Sequence, residues 1–276
     1  MALSDARRST LDLLPAACLL LAGCAFDAGG EQAESLGEAE EAIVIGNSIN
    51  LNSINLNSVK LNALQPASLN ATAKAAIQDT GALGEGAREA LRYIVGCALP
   101  ANTSFNFSWT DAAGVLRQES YPGLLGLAPA WANAPASQAD TGWVSACLIS
   151  RANRYGTPVE ISSRGGHGVL AALNQAELDA YAHLEGSFWG DLFASPPVAY
   201  SCSNPAELTY AREQQRDCAT GTVREDGGVD GCGMIQMVGP CADRCEYYNN
   251  PKGYYSDCST IAGGDESSRV ITVYLE

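Results

Sequence analysis

Residues 270–274 read Val-Ile-Thr-Val-Tyr, five consecutive residues that favour extended backbone. A run this apolar predicts a strand inserted into a sheet rather than one left at the surface. Its partners must come from earlier in the chain. Phe105, Phe107 and Trp109 alternate with Asn106 and Ser108, the period-two pattern of a half-buried strand. Asp111-Ala-Ala-Gly114 reads as a turn, with residues 115–120 returning as the partner strand. Val159–Ile161 and Val198–Tyr200 supply shorter β runs. Between these the period changes. Ala87, Ala90, Leu91, Ile94, Val95 and Ala98 predict an amphipathic helix over 86–98, stopped by Pro100. A second helix over 139–155 carries Val144, Leu148, Ala152 and Tyr155 on one face and is closed by Pro158. A third opens at Asn174, with Glu177 three residues on as in a capping box. Its apolar face is Leu178, Tyr181 and Ala182, and His183 lies beside that face on the same helix. The fold class is α+β, with about three helices and one antiparallel sheet.

Upstream of the strand the texture is set by cysteine. Cys97, Cys147, Cys202, Cys218, Cys232, Cys241, Cys245 and Cys258 lie in the body, six of them between 202 and 258. An even set fits disulfide pairing in an oxidising compartment, with the connectivity open. The C-terminal half is therefore expected to be stapled by disulfides, each contributing roughly 2–4 kcal/mol. Metal binding is the rival use of cysteine. No Cys-x-x-Cys pair is present, and Cys241-Ala-Asp-Arg-Cys245 is the nearest approach to one, so no metal or other cofactor is assigned.

The N-terminal segment reads as an export signal. Arg7 and Arg8 precede the short apolar run Leu13–Leu21, which falls short of the roughly 20 residues a bilayer span needs. Leu21-Ala22-Gly23-Cys24 follows, and it resembles the bacterial lipobox. The resemblance implies cleavage before Cys24, acylation of Cys24 and anchoring to a bacterial membrane, at the periplasm or the cell surface. Residues 1–23 would then be a signal peptide. Residues 24–45 contain Asp27, Glu31, Glu34, Glu38, Glu40 and Glu41 and no basic residue, the composition of a disordered tether.

Residues 46–72 repeat with period five. Ile49, Ile54, Val59, Leu64 and Leu69 form one series, and Leu51, Leu56 and Leu61 another. In a helix each repeat would turn the apolar pair by about 140°, so no stripe forms. In a flat strand an odd period sends alternate pairs to opposite faces. A bend in every repeat is the remaining solution, and the stretch resembles the pentapeptide-repeat family, whose coil has four sides. Ile49 and Ile54 depart from that family, which has small residues there. The run is little more than one coil, so this β-solenoid-like segment must dock on the body, pair with another chain or stay loose. The body itself is expected over 84–276. Acidic tether, Asn-rich repeat and Cys-stapled body together resemble uncharacterised bacterial surface lipoproteins, a likeness that implies no activity.

The 276 residues hold 16 Lys and Arg against 31 Asp and Glu, a net charge of −15 that disfavours nucleic acid as a partner. Two features merit attention as sites. Tyr247, Tyr248, Tyr254 and Tyr255 flank Asn249, Asn250, Pro251 and Lys252 between Cys245 and Cys258. Rings on a disulfide-fixed loop suit a glycan or protein ligand, because they give contact area at low entropic cost. His167, in Ser162-Ser-Arg-Gly-Gly-His-Gly168, is the candidate catalytic residue of an envelope hydrolase, provided a serine or carboxylate stands within reach. The glycines around Arg164 also offer an anion-binding turn. Asp226-Gly-Gly-Val-Asp230 has part of the pattern of a calcium loop, but Gly228 and Met237 stand where ligands belong. No Gly-x-Ser-x-Gly or His-Glu-x-x-His motif occurs. The leading expectation is a lipid-anchored, non-enzymatic envelope protein that binds a surface or extracellular partner. A hydrolase using His167 and an assembly protein acting through the repeat are the alternatives.

Overall fold

The computed structural model describes residues 43–44 and 56–276, apart from 154, 156–158, 172–173, 249–252, 262–263 and 265. In chain order the elements begin with β1 (Ile43–Val44), α1 (Leu56–Lys60), α2 (Ala71–Gln78) and α3 (Ala82–Ala98). The hairpin β2 (Ser104–Thr110) and β3 (Leu116–Pro122) follows, then α4 (Gln138–Ser150), β4 (Ala152–Asn153), β5 (Ser162–Arg164) and α5 (Gln175–Ala180). Next come β6 (His183–Asp191), β7 (Val198–Ser203), α6 (Leu208–Glu213), β8 (Thr222–Val223) and β9 (Val229–Asp230). The last are β10 (Ile235–Pro240), β11 (Glu246–Tyr248), β12 (Tyr254–Ser256) and β13 (Ile271–Leu275).

The class is α+β, but richer than three helices and one sheet. Among the described residues there are six α-helices, one five-stranded sheet and four two-stranded ones. The large sheet has the order β10-β7-β6-β13-β5. It is mixed rather than antiparallel, because β10 runs parallel to β7. The apolar run at 270–274 became β13, fully buried and hydrogen-bonded on both sides, to β6 and to β5. Alternation gives the sheet two different faces. Ile271, Val273 and Leu275 enter the main core with Phe188 and Ala199, whereas Val270 joins a second cluster on the opposite side.

The main core lies between the sheet and helices α3 and α4. Ser137 caps α4 through a capping box with Asp140. The helix ends at Ser150, not at 155, and Arg216 meets the carbonyl of that last residue and one in β4 just beyond it. Arg216 donates to Ser150 O at 2.7 Å and to Ala152 O at 2.9 Å, and pairs with Glu185 Oε2 at 2.9 Å. Both side chains are almost wholly excluded from solvent, at 1% and 0% exposure. Burial holds the Glu185 carboxyl above the usual carboxylate range, and the guanidinium beside it offsets only part of that rise. Such a pair contributes positioning more than stability, since desolvation offsets most of the attraction.

The repeat takes a different form from the one its period implies. Residues 46–55 lie outside the described part. Residues 56–72 are helix and turn, not a bent β coil, and they belong to the same core as the body, which therefore starts before residue 84. Leu56, Val59, Leu64 and Leu69 are all buried, whereas Leu61 is 61% exposed. The five-residue spacing is met by one turn of α1 followed by a tight non-helical stretch. That stretch is tied down by Leu64 N–H to Trp131 O at 2.7 Å and by the Trp131 indole N–H to Asn62 O at 3.0 Å. Asn70 ends the stretch by capping α2 through Ala73 N–H. Asparagine thus supplies caps and backbone contacts rather than a β ladder.

All eight cysteines of the body are paired, as Cys97–Cys147, Cys202–Cys241, Cys218–Cys232 and Cys245–Cys258. The first joins α3 to α4 across 50 residues, and the other three staple the C-terminal half. This usage belongs to an oxidising environment. No helix among the described residues is long and apolar enough to cross a membrane.

The buried repeat leucines make a direct prediction. Leu64→Ala should lower the unfolding free energy by about 2–5 kcal/mol in urea titrations, and Leu61→Ala by less than about 0.5 kcal/mol. Equal, small losses from both would mean that the repeat does not dock.

Candidate functional site

The second face of the large sheet carries the features of interest. Trp189, Cys202, Cys241, Cys258 and Val270 form its apolar cluster, with Tyr200, Val238, Cys245 and Tyr255 packed around them. Two disulfides stand side by side here, with Cys202 Sγ 3.7 Å from Cys245 Sγ. The layer above the sheet is therefore pinned covalently.

On it sits the tyrosine hairpin. Strands β11 and β12 pair in antiparallel register, Tyr247 opposite Tyr255 and Tyr248 opposite Tyr254, and Cys245–Cys258 closes the base. Cross-strand alternation divides the four tyrosines into two pairs with different roles. Tyr247 and Tyr255 make the contacts to β13, although Tyr247 stays 44% exposed, more than Tyr248 at 36%. Tyr255 N–H donates to Thr272 Oγ1 of β13 at 2.8 Å, and the Tyr247 hydroxyl lies 3.4 Å from that of Tyr274. Tyr248 and Tyr254 form the other pair, with rings nearly parallel at 17° and centroids 5.4 Å apart. The Tyr248 hydroxyl donates to Asp257 Oδ2 at 2.9 Å, and that carboxylate pushes its pKa up to about 12. The tip, Asn249–Lys252, lies outside the described residues.

The His167 loop borders this pair. A Cβ placed on Gly166 would lie 4.0 Å from the ring and hydroxyl of Tyr254. The two features that were separate in sequence are thus neighbours. His167 itself sits edge-on to Trp143, centroids 5.2 Å apart, and its Nδ1 accepts a long hydrogen bond from Val169 N–H at 3.4 Å. Among the described residues no serine hydroxyl or carboxylate hydrogen-bonds to it. Burial lowers its pKa, and the charge of Asp140 opposes that shift. A neutral imidazole against an indole lacks the orienting group that nucleophilic catalysis needs.

Other sequence features fall into structural places. Arg164 is not offered to an anion. Its guanidinium lies 3.6 Å over the Tyr274 ring and donates to Tyr181 O at 2.6 Å and Ser162 Oγ at 3.3 Å. Asn174 does cap α5 through Glu177 N–H, but that helix ends at Ala180 and His183 opens β6 instead. There His183 stacks on Tyr210 and pairs with Glu207 Oε2 at 3.1 Å. The loop between Asp226 and Asp230 is filled by Arg224, which bonds Asp226 at 3.1 Å and Asp230 at 2.8 Å. Asp217, Cys218 and Cys232 place donor atoms within 4.8 Å of one another. Both sulfurs are committed to a disulfide, so they are not thiolate ligands.

A cavity that sequence reading did not identify lies elsewhere, between α3 and the β2–β3 hairpin. Its signal was present in the spacing of Glu85, Arg88, Glu89 and Arg92 along one side of α3. Compared with known protein families, with curated proteins and with solved structures, the chain matches none of them.

The state of His167 can be read directly. Its folded pKa lies below the ordinary imidazole value of about 6.5, so the unfolded chain takes up the proton first as pH falls. Stability should therefore be full above about pH 6.5 and decline below it through this group. NMR titration should place the His167 midpoint below that of His167 in the urea-unfolded chain, and His167→Gln should flatten the acid limb of stability. A midpoint above the unfolded value would place a carboxylate partner beside the ring and reopen the hydrolase reading.

Proposed function

We propose that this chain is an exported, lipid-anchored cell-envelope protein that binds a glycan or peptide partner through the tyrosine hairpin. The observation that carries the reading is the Tyr248–Tyr254 stacked pair, set on a hairpin whose base is a disulfide and whose reverse side is anchored to β13. Paired flat rings held in place give a ligand contact area without an ordering cost on the protein side. The acidic chain also favours a neutral or cationic partner over an anionic one.

Export is supported by four disulfides together with the signal segment and Leu21-Ala22-Gly23-Cys24. The lipid on Cys24 is the membrane partner, and residues 24–45 are the tether that carries the body away from the bilayer. Ligand binding is favoured over assembly through the repeat because Leu56, Val59, Leu64 and Leu69 are buried within their own chain. It is favoured over hydrolysis because His167 stands against Trp143 without a nucleophile or acid in hydrogen-bond reach among the described residues.

Two experiments bear on the two halves of this reading. Glycan and peptide arrays probed with the full chain carrying Cys24→Ser should give signals that fall at least about tenfold when Tyr248 and Tyr254 are both changed to Ala. Unchanged signals would remove the hairpin from the function. In a bacterial host, the parent chain should fractionate with membranes and incorporate labelled palmitate, and Cys24→Ser should do neither. Membrane retention of that variant would rule out the lipid anchor.

A further inference from the structure

The cavity between α3 and the β2–β3 hairpin measures about 610 Å³, within the range of small-ligand sites. One wall is the α3 stripe Glu85, Arg88, Glu89 and Arg92, and the facing wall is Trp109, Glu119 and Tyr121. Register explains the second wall. Phe105 opposes Tyr121 and Phe107 opposes Glu119, so all four share one face of the hairpin with Trp109. Phe105 and Tyr121 are buried at the α3 end, which leaves Trp109 and Glu119 at the open end.

The wall is built rather than incidental. Arg88 is only 8% exposed, an unusual place for a guanidinium. It donates to Ile77 O at 3.0 Å and Asp79 O at 2.8 Å and lies 3.5 Å over the Trp109 ring. The indole N–H donates to Glu119 Oε1 at 3.2 Å. The half-exposed Trp109 is thus fixed by two independent contacts before any ligand arrives, the preorganisation that a binding site needs.

The chemistry of the lining selects the ligand class. A cation would be repelled by Arg88, which lies over one face of Trp109, and by Arg92, 5.2 Å from the Tyr121 ring, whereas an uncharged ligand can use the part of the indole that stays accessible. An anion would meet Glu85, Glu89 and Glu119 in a chain of net charge −15. A wholly apolar ligand would strip water from carboxylates and guanidinium without replacing it. Hydroxyl groups both donate and accept, so they match acceptors at the three glutamates and donors at Arg92. We infer that this cavity is a second binding site, for a neutral saccharide of one or two rings, with Trp109 as its aromatic contact. It stands independently of the tyrosine hairpin.

The test uses the full chain with Cys24→Ser and proton–nitrogen correlation NMR of the tryptophan indoles, with the Trp109 signal assigned by Trp109→Phe. Cellobiose, maltose and N,N′-diacetylchitobiose are titrated in turn, with spermidine and inorganic phosphate as the charged probes. At least one disaccharide should shift the Trp109 indole signal saturably. Glu85→Gln and Arg92→Gln, both exposed positions, should weaken that binding about tenfold, and Tyr248→Ala should leave it unchanged. The inference is overturned if no disaccharide gives a saturable shift, or if spermidine or phosphate shifts Trp109 at lower concentration. It is equally overturned if the cavity variants bind as the parent does while Tyr248→Ala loses binding, which would move the saccharide to the hairpin.

Discussion

The structure depends on one strand being paired on both sides. β13 lies between β6 and β5 and has every residue buried. Its odd-numbered residues hold the helical layer through Ile271, Val273 and Leu275. Its even-numbered ones face the disulfide layer, where Thr272 Oγ1 accepts from Tyr255 N–H and lies 2.8 Å from Ser187 Oγ. Tyr274 on that same side carries the Arg164 guanidinium on its ring. A one-residue slip of this strand would exchange the two faces, placing Thr272 in the apolar core and Ile271 among the disulfides. The bulge between Val273 and Tyr274 helps hold the register, since it fits only one alignment with β6.

The two layers on this sheet are stabilised by different physics. On the helical side, burial of Leu, Ile, Val and Phe side chains does most of the work, supported by the Arg216–Glu185 pair that ties the end of α4 to β6. On the other side the apolar cluster is small, and disulfides replace the missing core. Covalent closure suits a face that displays aromatic rings outward, because those rings are then unavailable for the core. The two tyrosine pairs of the hairpin have different neighbours: Tyr247 and Tyr255 meet β13, and Tyr248 and Tyr254 stack on each other beside Asp257 and the Gly166 loop.

What the sequence disclosed follows from how local each feature is. The 270–274 strand, the hairpin around Asp111–Gly114 and the Asn174 cap were legible because alternation and capping are written in neighbouring residues. Gly114 takes φ 78°, as such a turn requires. The end of α4 was not legible, because the arginine that meets its last carbonyl comes from residue 216. His183 was placed on a helix for the same reason. Its strand partner, Leu275, is distant in the chain. The repeat misled because period five excludes a long helix or a long strand but not a short helix followed by a pinned turn. The Tyr hairpin was found by composition alone, while its split into anchoring and stacking pairs needed the register. The α3 cavity was missed because Arg88 and Trp109 meet only in three dimensions.

The chain order of the large sheet has a kinetic consequence. β5 and β6 are not hydrogen-bonded neighbours; β13 is the strand that joins them, and it is made last of the five. The sheet therefore cannot close until the chain is made through residue 275. The six cysteines between 202 and 258 all precede that strand, so they can meet their partners before β13 arrives as the latch that ends assembly.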